Sequence, residues 1–298
     1  MRLAAIDIGS NAARLLITDV LPGPQNIPDF IKVALIRVPL RLGFDVFDKA
    51  EISPGKVEKI IKTIKAYKLL LDVYEVKHLK ACATSAMRDA INSKDIIKKV
   101  KAETGIEIQI ISGDMEASLI YENHVAENMT REESYLYTDV GGGSTELTFF
   151  SDGKLVFKKS FNIGTIRLLK NQVTEGHWDE MKEYIKSQIK GHHHVTAIGS
   201  GGNINKIFSI SKRKEGKPLQ LDLLRDYFKE FSNMSLAQRI SLYKLREDRA
   251  DVIVPALLIY INVMRWADAQ DIFVPKIGLA DGLVHTLYEE VRLKEIEI

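Results

Sequence analysis

Asp139-Val140-Gly141-Gly142-Gly143-Ser144-Thr145-Glu146 is the stretch from which the rest of the chain is read. An apolar-aromatic run over 135–138 leads into it and a second apolar run over 147–150 leaves it, which predicts strand, turn and returning strand with Asp139 at a strand end. Three successive glycines allow backbone conformations closed to other residues and let the chain approach a ligand closely. Their N–H groups can converge on an anion in the manner of a phosphate-binding nest. Ser144 and Thr145 add hydroxyl donors, and Asp139 and Glu146 flank the loop with hard oxygen ligands of the kind Mg²⁺ prefers. The competing reading is a plain hairpin with incidental acids, but such a turn needs only one or two glycines.

A second copy lies at the N-terminus, in Ala5-Ile6-Asp7-Ile8-Gly9-Ser10-Asn11-Ala12-Ala13-Arg14-Leu15. Shifted by 132 residues, Asp7 falls on Asp139, Gly9 on Gly141 and Leu15 on Leu147. A repeated strand–Asp-x-Gly turn–strand unit suggests two related lobes aiming their loops at a shared cleft, a default place for a phosphorylated ligand.

Paired Asp-x-Gly hairpins resemble the acetate/sugar-kinase, heat-shock-chaperone and actin superfamily. Asp7-Ile8-Gly9-Ser10-Asn11 together with Asp139 to Glu146 is similar to one branch of it, the exopolyphosphatase and guanosine pentaphosphate phosphohydrolase family, over nearly the whole chain. The resemblance implies an α/β fold of two ribonuclease-H-like (actin-like ATPase) lobes around a central cleft. The expected division is 1–125 and 126–298, with the C-terminal helix packing back on the first lobe.

The 298 residues allow one large or two medium domains, and 45% hydrophobic with 28% charged residues is ordinary for a globular chain. Forty-two basic against 40 acidic residues leave a net charge of +2, so there is no global electrostatic case for nucleic acid. The single cysteine, Cys82, forbids an intramolecular disulfide and reads as a small buried residue. The longest apolar run, 252–264, is interrupted by Pro255 and Asn262 and falls short of a membrane span. Asp7 interrupts the only apolar stretch near the N-terminus, so no signal-peptide pattern is present and a cytoplasmic location is expected.

Strands are expected at 3–8, 14–20, 31–40, 79–83 and 106–110, with helices from Pro54, over 93–103 and over 112–128. Ser53-Pro54 predicts a helix start in which Ser53 caps and proline takes the first helical position. Lysines interleave the apolar residues of that helix and read as a solvated face rather than a polyphosphate track. In the second half, Asp152-Gly153 predicts a tight hairpin between 147–150 and 155–161. Long helices are expected through most of 221–267, a short strand at 272–274 and a last helix from Ala280.

Ser112-Gly113-Asp114-Met115-Glu116 joins a strand to a helix and puts its acids in the first turn, where the helix dipole favours ionised carboxylates. The resemblance gives Glu116 the part of the carboxylate that orients or deprotonates the attacking water. Met115 stands where the family usually has a second acid, and Ala12 where it has a serine. Losing one phosphate donor weakens binding by about 1–3 kcal/mol. Arg88, in Thr84-Ser85-Ala86-Met87-Arg88, matches the family arginine expected to hold a phosphate, a task that suits a guanidinium fork. Arg14 and Arg249 are further candidates. Gly199-Ser200-Gly201-Gly202-Asn203 resembles the superfamily's nucleotide-side turn and either borders the substrate or caps a helix. His192-His193-His194 has no acid or cysteine spaced to complete a metal site.

The reaction implied is metal-assisted hydrolysis of a terminal phosphoanhydride. Asp139 and Glu146, with Glu116 nearby, would hold Mg²⁺ or another divalent cation, Asp139 and Glu116 being the catalytic acids and Asp7 assisting through a metal-bound water. Gly9, Ser10, Asn11, Arg14, Arg88, Gly141, Gly142, Gly143, Ser144, Thr145 and Arg249 would bind substrate phosphate. The partner is a small molecule, either inorganic polyphosphate or guanosine pentaphosphate, with neither nucleic acid nor membrane, and a homodimer is left open. The extra C-terminal helical domains of longer family members are expected to be absent, which favours short chains. A sensor of polyphosphate or guanosine tetraphosphate without turnover, or an ATP-dependent small-molecule kinase of the same fold, are the alternatives.

Overall fold

The computed structural model describes residues 1–24, 27–122, 133–192, 194–275 and 278–296. Two compact units divide the chain, Met1–Asn123 with Leu279–Ile298, and His124–Gly278.

The first unit is built on β1 (Arg2–Ile8), β2 (Ala13–Pro22), β3 (Pro28–Val38), β4 (His78–Ala83) and β5 (Gln109–Ile110), in the sheet order β3-β2-β1-β4-β5. β1 runs antiparallel to β2 and parallel to β4, so it is central and is buried from Leu3 to Ile8. That explains the apolar residues on both of its faces, interrupted only by Asp7 near the loop end, since a strand covered on both faces loses the in-out alternation. The helices are α1 (Gly43–Lys49), α2 (Pro54–Val73), α3 (Ser85–Asp89), α4 (Ser93–Thr104) and α5 (Gly113–Glu122). α2 buries Ile60, Ile61, Ile64, Tyr67 and Leu71, one stripe at helical spacing. Ser53 flanks α2 as expected but does not cap it: its hydroxyl donates 2.6 Å to Asp45, which also pairs with Lys56. α4 ends where Gly105 takes φ +74°, a left-handed conformation that glycine adopts without strain.

The strand expected over 106–110 pairs only at Gln109 and Ile110, which face Cys82 and Ala83. Ile106 and Ile108 are nevertheless buried, so their alternation reports packing rather than sheet pairing. The part of the expected 112–128 helix beyond Glu122 lies outside the described residues. The terminal helix (Leu279–Ile296) closes this unit: Leu279, Leu283, Val284, Leu287 and Val291 share a core with Leu3, Ala5 and Leu16.

The second unit repeats the plan with β6 (Ser134–Val140), β7 (Thr145–Ser151), β8 (Lys154–Phe161), β9 (Val195–Ser200), β10 (Leu219–Gln220) and β11 (Asp271–Phe273), ordered β10-β11-β9-β6-β7-β8. Removing the antiparallel edge strand β10 leaves the strand order of the first sheet. Asp152 and Gly153, at φ +52° and +70°, make the tight β7–β8 hairpin. The expected long helices of 221–267 are several shorter ones, the most apolar of them Ile253–Trp266, which buries Leu257, Tyr260 and Met264. Each unit is thus ribonuclease-H-like, the lobe of the actin-like ATPase fold. Among the described residues no helix is long and apolar enough to cross a membrane.

Candidate active site

The loop between β6 and β7 is closed by Gly141 N–H donating 2.9 Å to Ser144 O. All three glycine carbonyls are turned back into the segment 163–167. Gly141 O accepts from Thr165 N–H at 3.0 Å, Gly142 O from Ile166 N–H at 2.8 Å, and Gly143 O from Arg167 Nε at 2.7 Å. Among the described residues the amides of Gly142, Gly143 and Ser144 donate to no group. A peptide whose carbonyl is held on one side presents its N–H on the other, which is the polarity an anion requires. Close approach is also built in at Gly164, where a Cβ would lie 2.5 Å from backbone atoms of Gly142 and Gly143. Thr145 is fully buried and its hydroxyl donates 2.6 Å to Ile163 O, so its proton fastens the loop and the donor part falls to Ser144 and the amides.

Asp139 and Glu146 are direct partners across the antiparallel β6–β7 pair. Ser160 on β8 faces Glu146 in turn and donates 2.8 Å to its Oε1. Beside them Tyr260 is wholly buried and donates to Ser200 O. Its phenol is pushed well up, first by burial and then by the charge of Asp139, with Glu146 adding to it. Gly201, at φ +109°, crosses so near Asp139 that a Cβ there would lie 2.9 Å from Oδ1. The turn 199–202 therefore leans on the Asp139 carboxylate, and Arg249 anchors it by donating to Gly202 O. Two facing carboxylates of hard oxygen, one oriented by a hydroxyl, suit a divalent cation. Among the described residues no three His, Cys, Asp or Glu side chains are gathered to hold a metal by themselves, so water and substrate oxygens would complete the shell. His192 accepts or donates 2.7 Å to Ser151 Oγ, and His193 lies outside the described residues.

The hairpin of the first unit has the same backbone. Gly9 N–H donates 3.0 Å to Ala12 O, and Ser10 O and Asn11 O accept from Gly43 and Arg41 N–H, each at 2.8 Å. Ser10 Oγ lies 2.7 Å from Ser85 Oγ, which ties the loop to the start of α3. Arg14, opposite Asp7, pairs with its carboxylate at 2.7 Å. Arg88 leaves α3 to donate 2.7 Å to Ile111 O and lies 3.9 Å from Glu116 Oε2. Glu116 is nearly buried in the first turn of α5, while Met115 beside it is exposed and Ser112 Oγ accepts from Met115 N–H at 3.2 Å. Burial, and then the charges of Asp7 and Glu116, push the Cys82 thiol up.

The structure thus joins Asp7 with Arg14 and Arg88 with Glu116 in the first unit, and Asp139 with Glu146 and the glycine loop in the second. Ser160, Gly164, Arg167 and Tyr260 support these groups without having been singled out in the sequence. The only trace they leave there is a glycine and an arginine shortly after a third strand.

The Ppx/GppA phosphatase family matches residues 29–290. A bifunctional 3-dehydroquinate synthase/phosphatase of Fusobacterium nucleatum is 27% identical over 98% of this chain and 47% of its own length, so the chain spans about half of that relative. Exopolyphosphatase 1 of Mycobacterium tuberculosis is 26% identical over 95% of this chain and 87% of its own. Among solved structures, the Aquifex aeolicus Ppx/GppA family member is 25% identical with a TM-score of 0.75, covering 97% of this chain and 98% of that one. An exopolyphosphatase from Cytophaga hutchinsonii, 24% identical over 97% and 98% of the two chains, shares the fold with a TM-score of 0.83. With the family matched over most of its length, the chain belongs to the Ppx/GppA phosphatase family.

Proposed function

We propose that the protein is a divalent-metal-dependent phosphohydrolase that releases the terminal phosphate of inorganic polyphosphate. The observation that carries this reading is the direct opposition of Asp139 and Glu146 beside a loop whose carbonyls are all turned away. Asp139 and Glu146 hold the cation, for which Mg²⁺ is the choice that fits carboxylate oxygens. When bound it supplies charge neutralisation to the phosphoryl oxygens. The amides of Gly142, Gly143 and Ser144 orient the terminal phosphoryl group, and Arg88 contributes a guanidinium to it. Glu116 takes a proton from water as the water oxygen bonds to the terminal phosphorus. The bridging P–O bond breaks, and its electron pair leaves with the shortened chain.

Several lysines of α2 are engaged with acids, Lys62 with Glu58 at 2.7 Å and Lys65 with Glu103 at 2.6 Å. Those pairs fit a solvated face for α2 rather than a polyanion track, and the net charge of +2 supports a preference for short chains. Guanosine pentaphosphate, which carries the same anhydride, is the second substrate to compare. The deciding experiment is phosphate release from polyphosphates of defined length and from guanosine pentaphosphate, with Mg²⁺ and with a chelator. Metal-dependent release from polyphosphate is expected; binding without release would make the protein a sensor.

A further inference from the structure

The two glycine peptides nearest β6 are held by backbone amides, but Gly143 O is held by a side chain, Arg167 Nε at 2.7 Å. The corresponding carbonyl in the first unit, Asn11 O, is held by a main-chain donor, Arg41 N–H at 2.8 Å. Gly143 precedes the Ser144 amide, and a glycine there lets the intervening peptide turn over at small conformational cost. A turned peptide would aim a carbonyl oxygen where an amide is needed. We propose that Arg167 is a positioning residue of the phosphate loop: it holds the Gly143–Ser144 peptide with its carbonyl back and the Ser144 N–H toward a phosphoryl oxygen. The inference rests on the phosphate-binding part given to this loop above.

Two features suit arginine to the task. Its planar guanidinium carries its donors in a rigid fork, which fixes the direction of the Nε–H toward the carbonyl. Its charge also lies at the carbonyl end of the peptide dipole and raises the positive potential at the N–H end, which a neutral donor would not do. The segment that carries it is fixed by its own backbone bonds, since Thr165 and Ile166 donate to the loop and Gly164 packs against it. Arg167 is therefore aimed from a seat that does not depend on the arginine itself.

Binding of inorganic tripolyphosphate, measured calorimetrically in chelator so that no turnover occurs, tests this with Arg167→Ala, Arg167→Gln and Arg167→Lys. Arg167→Ala should weaken binding on the order of tenfold, the scale of one charge-assisted hydrogen bond. Arg167→Gln, which keeps a donor without charge, should fall between Ala and the parent, and Arg167→Lys should recover most of the affinity. Mn²⁺ affinity and the thermal midpoint should stay near the parent values, and in turnover KM should rise more than kcat falls. Parent-like tripolyphosphate binding by Arg167→Ala overturns the proposal. So does an affinity loss matched by equal losses of Mn²⁺ binding and thermal midpoint, which would make the residue merely structural. A parent that binds tripolyphosphate without hydrolysing it defeats the hydrolase reading while the variants still decide this one. A parent that binds none defeats both.

Discussion

Along the strands that meet each loop, four positions in register can be compared between the units. In the first unit the row is Cys82, Asp7, Arg14 and Arg37; in the second it is Ser200, Asp139, Glu146 and Ser160. Each loop is closed by the same backbone hydrogen bond and turns carbonyls toward the segment that follows, although Gly143 O is held by Arg167 Nε where Asn11 O is held by a main-chain amide. The charge is reversed. One row sets an acid against two arginines, and Asp7 is paired at 2.7 Å. The other sets two acids against each other and orients the second with a hydroxyl. A repeated fold thus carries two loops, and in the proposed reaction it is the second row that takes a cation from outside the chain. The first row supplies its own.

Making the second row resemble the first is the severest test of that contrast. Glu146→Arg would reproduce the Asp–Arg pair beside the triple glycine. Divalent binding should be lost and metal-activated turnover should fall on the order of a hundredfold or more. Mn²⁺ titration followed by electron paramagnetic resonance reads the first and phosphate release the second. An unaltered Mn²⁺ curve would mean that the acid row is not the metal site and that the charge reversal has another meaning.

In the proposed reaction the first unit contributes its carboxylate, Glu116, from α5 rather than from its hairpin. Glu116→Gln keeps shape and hydrogen bonding and removes the base, so turnover should drop about a hundredfold with tripolyphosphate binding retained. Unchanged turnover would leave the first unit without a chemical part.

The repeat of 132 residues makes both hairpins legible in the sequence, because Asp-x-Gly between apolar runs is a local pattern with a local cause. Strand β1 and the buried stripe of α2 are legible for the same reason. The segment 162–167 is not. Its work is done by backbone amides, which have no residue signature, and by Gly164, whose necessity lies in a contact with residues some twenty positions earlier. Arg167 looks like any surface arginine until Gly143 O is placed beside it. Ser53 is an instructive failure of a local rule: it stands at the right position to cap α2, but its hydroxyl is turned to Asp45, to which it donates at 2.6 Å, and accepts nothing from the helix. The expected 106–110 strand also shrank, since only its last two residues, Gln109 and Ile110, find a partner strand.

The arginine of the first row has a stability signature. Arg14→Met would leave the Asp7 carboxylate, 2% exposed, without its cation. The cost should be on the order of 1–3 kcal/mol, less than for a fully enclosed pair because solvent reaches Arg14. Urea unfolding measures it, and Asp7→Asn added to Arg14→Met should return part of the loss. If the single variant is as stable as the parent, the first row is not held by its own charges.

The smallest effect belongs to Ser160, the position that in the first unit is Arg37. Ser160 Oγ donates to Glu146 Oε1 at 2.8 Å, which fixes the rotation of that carboxylate. Its removal takes away no ligand and no charge. Groups that orient metal ligands typically change metal affinity by about ten- to a hundredfold, and a neutral hydroxyl on a partly exposed strand should lie at the low end. Ser160→Ala should therefore raise the Mg²⁺ concentration for half-activation roughly tenfold while leaving kcat at saturating Mg²⁺ near the parent value. Ser160→Thr, which keeps the hydroxyl, should restore the parent curve. If Ser160→Ala lowers kcat at saturating metal and leaves half-activation alone, Ser160 does not act through Glu146. Its place in the row would then be one of packing, and the comparison would reduce to the two residues at its centre.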